Sequence, residues 1–534
     1  MIGQKLLLAF TGKSMTSQVE TAIREYAPAG LTLFRSLNVD SPAQLRELTA
    51  ALQSIARARG LPPLLIAADQ EGGQLMAIGG ECTPLPGNMA LGGGGSEALA
   101  VQAGEVLGRE LLAMGVNVNY APVCDVNINP RNPVIGIRSF GENPEEVGRL
   151  ASAMIRGIQS QGVAATAKHF PGHGDTASDS HHGLSSVPHA LDRLRRVEFL
   201  PFKNAIAGGV QMVMSAHLAL PALDGPDAPP ATLSQRILRG LLREELGFDG
   251  VIVTDAMDMK AIRQGEALGE DALRAVAAGV DLLLLTSDPA DQRRVFTSLQ
   301  TAAQEGALDA EETMKSIDRI LSLKRWLAGF SQPDLSVVGC ADHLAVADAI
   351  AEKSITLVRD QHRLLPLRLR PDQRVAVMQF KPADLTPADT SSYITPGLAA
   401  ALRLYHPAVD EWIVPMNPDE REITDLLERL RPYDVLVIGT LNAFASEGQS
   451  ELVRQALKLE LPTVVAALRL PYDLTAFPEA PVFVCTYGIQ EPSMRALAKA
   501  LFGIIKISGR LPVSIEGLYP VGWGMGENPA TRPE

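Results

Sequence analysis

The stretch "DGVIVTDAMDM", Asp249–Met259, runs through four residues without charge, Val251–Thr254, and stops on an acid, Asp255. A strand that is apolar almost throughout is buried on both faces, the condition of a parallel sheet covered by helices. The same design recurs upstream: "GLTLFRS" ends near Arg35, "LLIAADQEGG" at Asp69, "GVNVNYAPVCD" at Asp125, "GVAATAKH" at Lys168 and His169, and "GVQMVMSAH" at His217. Downstream, "GVDLLLLTSD" ends at Ser287 and Asp288, and "QKLLLAF" near the N-terminus is a weaker eighth candidate. Helical segments lie between them, such as "SPAQLRELTAALQSIARARG", with Ser41 as N-cap before Pro42 and Gly60 at the other end.

Eight such units predict a (β/α)8 barrel over residues 1–330, with a doubly wound open sheet as the competing arrangement. The barrel is preferred because polar residues sit at the C-terminal ends of most strands, where barrel sites collect side chains from many loops. The rhythm then changes: a helical linker over 331–350 leads to a second α/β domain over 351–534. Its expected strands are "RVAVMQF", "DVLVIGT", "PTVVAAL" and "PVFVCTY", alternating with helices such as "DEREITDLLERLR".

A length of 534 residues exceeds what one core of roughly 250–300 residues supports, in keeping with two domains. The formal net charge of -13 disfavours nucleic acid or an anionic membrane as partner, since both select Lys and Arg excess. Cys82, Cys124, Cys340 and Cys485 are far apart without a C-x-x-C pair, so neither a zinc knuckle nor a disulfide framework is expected. Reduced thiols, no recognisable export signal and no apolar run of about 18 residues predict a cytoplasmic protein without membrane insertion.

The densest polar stretch is "KHFPGHGDTASDSHHG", Lys168–Gly183. His169 and His173 have the four-residue spacing of helical metal ligands, but Pro171 and Gly172 would break such a helix, so no metal is expected. Asp179 and His181 offer a carboxylate that orients an imidazole for general acid/base work, against the plainer reading of a Ser- and Asp-rich turn. Asp255, at the end of an apolar strand, would point into a barrel mouth as nucleophile or base, and Asp258 would cap a helix start. Asp69 shares the strand-end placement, and Arg138 is placed to contact a hydroxyl or a carboxylate. "GGGGS", Gly92–Ser96, lacks the lysine of a phosphate loop and reads as a flexible surface loop.

Taken in order, "IGQKLLLAF", "DQEGG", "GVNVNYAPVCDV", "NPVIGIRSFG", "KHFPGHGDTASDSH", "SAHLALPALD" and "ELGFDGVIVTDAMDM" resemble glycoside hydrolase family 3, in its β-N-acetylglucosaminidase branch. "PTVVAALRLPYDLTAFPEAP" and "SGRLPVSI" are similar to the C-terminal α/β sandwich domain of its two-domain members. The resemblance implies a retaining, cofactor-free glycosidase with Asp255 as nucleophile, His181 as general acid/base and Asp179 orienting it. It also implies sugar contacts from Asp69, Arg138, Lys168 and His169. The expected activity is exo-acting release of terminal N-acetylglucosamine from peptidoglycan fragments or chitooligosaccharides. A phosphorylase or transglycosylase of the same family is the alternative, and a catalytically inactive sugar-binding protein is a more distant one. The chain departs from the family's usual "EGGRV", carrying Gln74, Leu75, Met76 and Ala77, which bears on the subsites around the sugar. The role of the second domain and the oligomeric state are left open.

Overall fold

The computed structural model describes residues 1–177 and 183–526. Eight parallel strands form the first unit: β1 (Leu6–Ala9), β2 (Gly30–Leu33), β3 (Leu65–Ala68), β4 (Val118–Asn119), β5 (Ala164–Phe170), β6 (Met212–Ser215), β7 (Val251–Thr254) and β8 (Leu283–Leu285). Hydrogen-bonded neighbours follow chain order from β1 to β7, and β8 pairs with β1. A parallel bridge between Val253 and Leu282 closes the circle, so the sheet is a (β/α)8 barrel rather than an open sheet.

Alternation along each strand divides two cores. Leu7, Leu65, Ala67, Met212, Met214, Val251 and Val253 share one inner cluster, whereas Leu6, Leu8, Ile66, Val213 and Ile252 join the cluster formed with the helices. Ile320 and Leu323 of the helix Ala310–Leu327 enter the inner cluster from the N-terminal end of the strands. There Lys5 Nζ donates to Ser316 Oγ at 2.6 Å and Lys324 Nζ to Gln4 Oε1 at 2.9 Å. The opposite end is thereby left as the open one. The expected cap is present: Ser41 Oγ accepts from Gln44 N ahead of the helix Pro42–Ala58, and Gly60 follows that helix at φ +66°.

After the helix Ala341–Ser354 comes a six-stranded sheet: β9 (Thr356–Asp360), β10 (Val375–Phe380), β11 (Val409–Val414), β12 (Val435–Thr440), β13 (Thr463–Ala467) and β14 (Val482–Cys485). The order is β9-β14-β13-β12-β10-β11, parallel except for β9, which runs against β14. Edge strand β11 buries Val409 and Val414 at its two ends and exposes Glu411 and Ile413 between them. Among the described residues no helix is long and apolar enough to cross a membrane.

Two sequence expectations are overturned. The segment Gly92–Ser96 is no flexible loop: Asn88–Gly94 is a helix wedged into the seam between the domains. A Cβ at Gly92 would lie 1.7 Å from the Phe140 carbonyl oxygen, and one at Gly93 would lie 2.7 Å from the Tyr487 ring. Glycine is required here by close approach, not by mobility. Asp258 does not begin a helix; it sits in an exposed turn, and the next helix is Ala267–Ala278.

Gly92→Ala is therefore expected to destabilise the protein by about 3 kcal/mol, the upper end of overpacking costs, in urea denaturation. Gly95→Asn, at a left-handed position with open space around it, should be nearly neutral. Equal losses for the two would show that the seam is not what selects glycine at position 92.

Candidate active site

The open end of the barrel holds a cavity of about 450 Å³. Asp69, Arg138, Lys168, His169 and Asp255, chosen from the sequence, all line it. Asp179 and His181 lie outside the described residues.

Each side chain on the floor comes from the end of a strand or the loop after it. Lys168 and His169 are the last turn of the pleat in β5, Asp69 follows β3, and Arg138 ends a short 3-10 turn, Gly136–Arg138. Glu71, two residues beyond Asp69, was not singled out in the sequence, yet it organises the floor. Arg138 grips it with two hydrogen bonds, Nε to Oε2 at 2.9 Å and Nη2 to Oε1 at 2.7 Å. Lys168 Nζ lies 2.7 Å from the same carboxylate and 2.6 Å from Asp69 Oδ1. Arg138, expected to contact a hydroxyl or a carboxylate, is a buried ion-pair partner of Glu71 that also lines the cavity, and its Nη1 donates to Val134 O at 3.1 Å.

Burial alone would raise the Glu71 carboxyl, but the charges and hydrogen bonds of Arg138 and Lys168 outweigh it and bring the group down to about 2. For Lys168, burial works against the charge, and Asp69 and Glu71 more than compensate, so its ammonium is held above its ordinary range. The floor therefore carries two fixed cations with the Glu71 carboxylate between them, while burial, only partly offset by Lys168, pushes the Asp69 carboxyl up.

A second network fixes the histidines. Asp125, fully buried, accepts from His173 N at 2.7 Å and sits 2.7 Å from His169 Nδ1. With Nδ1 protonated toward Asp125, His169 turns Nε2 toward Arg138 Nη2, 3.4 Å away. Burial, reinforced by the nearby cations Arg138 and Lys168, pushes His169 well below its ordinary range, so the ring is neutral. His173 Nδ1 pairs with Thr176 Oγ1 at 2.7 Å, within the loop itself. Among the described residues no cluster of three or more His, Cys, Asp or Glu fits a metal ion.

Asp255 ends β7 on the same cavity. Its Oδ1 accepts from Ala256 N at 2.8 Å, which fixes one oxygen of the carboxylate. The adjacent Ala256 carbonyl is 3.0 Å from His217 Nε2, whose Nδ1 is 2.8 Å from Thr232 Oγ1. His217, read from the sequence only as a strand end, therefore supports the backbone beside Asp255.

Glu71→Gln would leave Arg138 and Lys168 sharing a single anion in a buried site, with a stability loss of about 3–5 kcal/mol at neutral pH. The Glu71 carboxyl lies below its ordinary 4.5 in the folded state, so its contribution is fully present above pH 4.5 and is lost as pH falls toward 2. The difference between wild type and variant in urea denaturation should accordingly be flat above about pH 5 and shrink in acid. A pH-independent difference would contradict the ion-pair assignment.

Comparison with known proteins gives the family. The model of the glycosyl hydrolase family 3 N-terminal domain matches residues 2–323. The chain is 33% identical to β-hexosaminidase A of Pseudoalteromonas piscicida, over 96% of both proteins. It is 35% identical to the β-hexosaminidase of Nitrosomonas eutropha, where 60% of this chain covers 93% of that protein. Among solved structures, a glycoside hydrolase family 3 β-N-acetylglucosaminidase from Paenibacillus sp. str. FPU-7 superposes with a TM-score of 0.91 at 38% identity, covering 96% of this chain and 98% of that one. With the family model over residues 2–323 and full two-domain matches over 96% of its length, this chain belongs to glycosyl hydrolase family 3.

Proposed function

We propose that the protein is an exo-acting, retaining β-N-acetylglucosaminidase that removes terminal non-reducing N-acetylglucosamine from chitooligosaccharides or peptidoglycan fragments. The observation that carries this reading is the pocket itself: Asp255 faces a closed floor of paired Lys168, Arg138, Glu71 and Asp69, large enough for one sugar. Full-length relatives named β-hexosaminidase and β-N-acetylglucosaminidase support it.

In this reading Lys168 and Arg138 donate to sugar hydroxyls, Asp69 accepts, and neutral His169 does either without adding charge. Donors already held by ion pairs lose little freedom on binding, and a substrate lacking the matching hydroxyl leaves them unsatisfied. Asp255 attacks the anomeric carbon as His181, oriented by Asp179, gives its proton to the departing oxygen. The glycosyl ester is then opened by water, whose proton returns to His181. The acid is the imidazolium, and the neutral imidazole it leaves behind keeps a second negative charge away from the nucleophile until it takes the proton of water.

His181→Ala should slow cleavage of disaccharides by about 10²–10⁴-fold, the usual scale of general acid catalysis, and slow release of 2,4-dinitrophenolate far less. Unchanged turnover of the disaccharide would remove His181 from the mechanism. Asp255→Ala should abolish turnover of both. Free N-acetylglucosamine is the expected product with or without inorganic phosphate; a sugar 1-phosphate as main product would replace hydrolysis by phosphorolysis.

A further inference from the structure

The cavity has two makers. Its floor belongs to the barrel, but part of its wall comes from the second domain, where Asp384, Ala388, Asp389, Thr390 and Tyr393 line the same space. That segment is fastened to the barrel. Thr390 N and Oγ1 both donate to Gln74 O, at 2.9 and 2.8 Å, and Met76 N donates back to Thr390 Oγ1 at 3.2 Å. Arg469 ties Asp389 at 3.1 Å and also bonds the Gln74 side chain.

The segment ends on Tyr393, whose ring meets the barrel across the cavity mouth: the Arg35 guanidinium carbon lies 4.0 Å from the ring centroid. Arg35 is itself fixed, with Nη1 donating to Met76 O at 3.1 Å and the guanidinium packed on Gly79, where a Cβ would come within 2.4 Å of Nη2. Tyr393 remains 55% exposed, whereas Lys168 on the floor is 1% exposed. An aromatic ring braced by a cation but open to solvent, beside a sugar-sized pocket, is a preformed contact surface with little entropy left to lose. Charge does not dominate the mouth, because Asp258 and Asp384 line it together with Arg35.

The relative from Nitrosomonas eutropha aligns 93% of its length with 60% of this chain, leaving it little length for a second domain. Chemistry that a barrel can house alone leaves the added wall to act on the part of the substrate outside the floor. Resting on the glycosidase reading above, we propose that Tyr393 and Arg35 form the subsite for the leaving sugar, a neutral pyranose whose C–H face packs on this cross-domain pair. The second domain then selects saccharide leaving groups, and the barrel carries out the cleavage.

The test compares N,N′-diacetylchitobiose, which fills both subsites, with N-acetylglucosaminyl fluoride, which has no leaving sugar. Tyr393→Ala should lose about ten-fold in kcat/KM on the disaccharide, mainly through KM, the scale of one aromatic contact. Its kcat/KM on the fluoride should stay within about two-fold of wild type, and Tyr393→Trp should restore the disaccharide. Equal losses on both substrates, or no loss on the disaccharide, would overturn the subsite while leaving the glycosidase reading intact. Wild-type protein inactive on both substrates would overturn that reading and the subsite with it.

Discussion

Lys168 is buried at the end of a barrel strand, and a buried ammonium must be matched by charge or lose its proton. It keeps the proton because Asp69 and Glu71 both lie within 2.7 Å. Glu71 stays ionised because Arg138 holds its other face. Three chain segments, after β3, at the end of β5 and before Ser139, are therefore locked to one another by charges that none of them could bury alone. Paired charges of this kind are weak evidence for net stability, since hydrophobic replacements are often as good. Their value here is geometric: they present donors and acceptors in fixed directions to an uncharged ligand.

The Asp125 network has the same logic applied to a neutral group. Asp125 spends its lone pairs on two backbone amides and one imidazole, which sets the tautomer of His169. Two cations nearby would make a protonated His169 costly, so the ring stays neutral and can accept or donate without altering the charge of the pocket. Asp255, after the end of β7, lines the same cavity as both networks.

Much of this was legible in the sequence because strand ends announce themselves. An acid or base that terminates an apolar run has few structural excuses, and Asp69 and Asp255 were chosen on that signal, whereas Lys168 and His169, marked as a strand end, were given sugar contacts by the resemblance. Asp125 was named as a strand end but given no role, and Glu71, a second acid beside a chosen one, reads as solvation until its partners are known. Edge strand β11 escaped for a different reason: Asp410 and Glu411 interrupt its apolar pattern, as edges allow. Gly92 and Gly93 were misread because what they touch, Phe140 and Tyr487, lies about 50 and 400 residues away; local composition cannot distinguish a glycine that must be small from one that must be flexible.

The departure at Gln74 is best understood at this seam. Where the resemblance leads one to expect arginine after the two glycines, this chain has a neutral amide. That amide receives Arg469 from the second domain, donates to Ala388 O at 3.0 Å, and shares its backbone with Thr390. A cation at position 74 would face the Arg469 guanidinium, which is 5% exposed and already committed to Asp389. Like charges at that depth are costly, so the arginine of one domain excludes an arginine from the other. The substitution thus follows from the second domain being docked there, and the docking places Tyr393 at the mouth of the pocket.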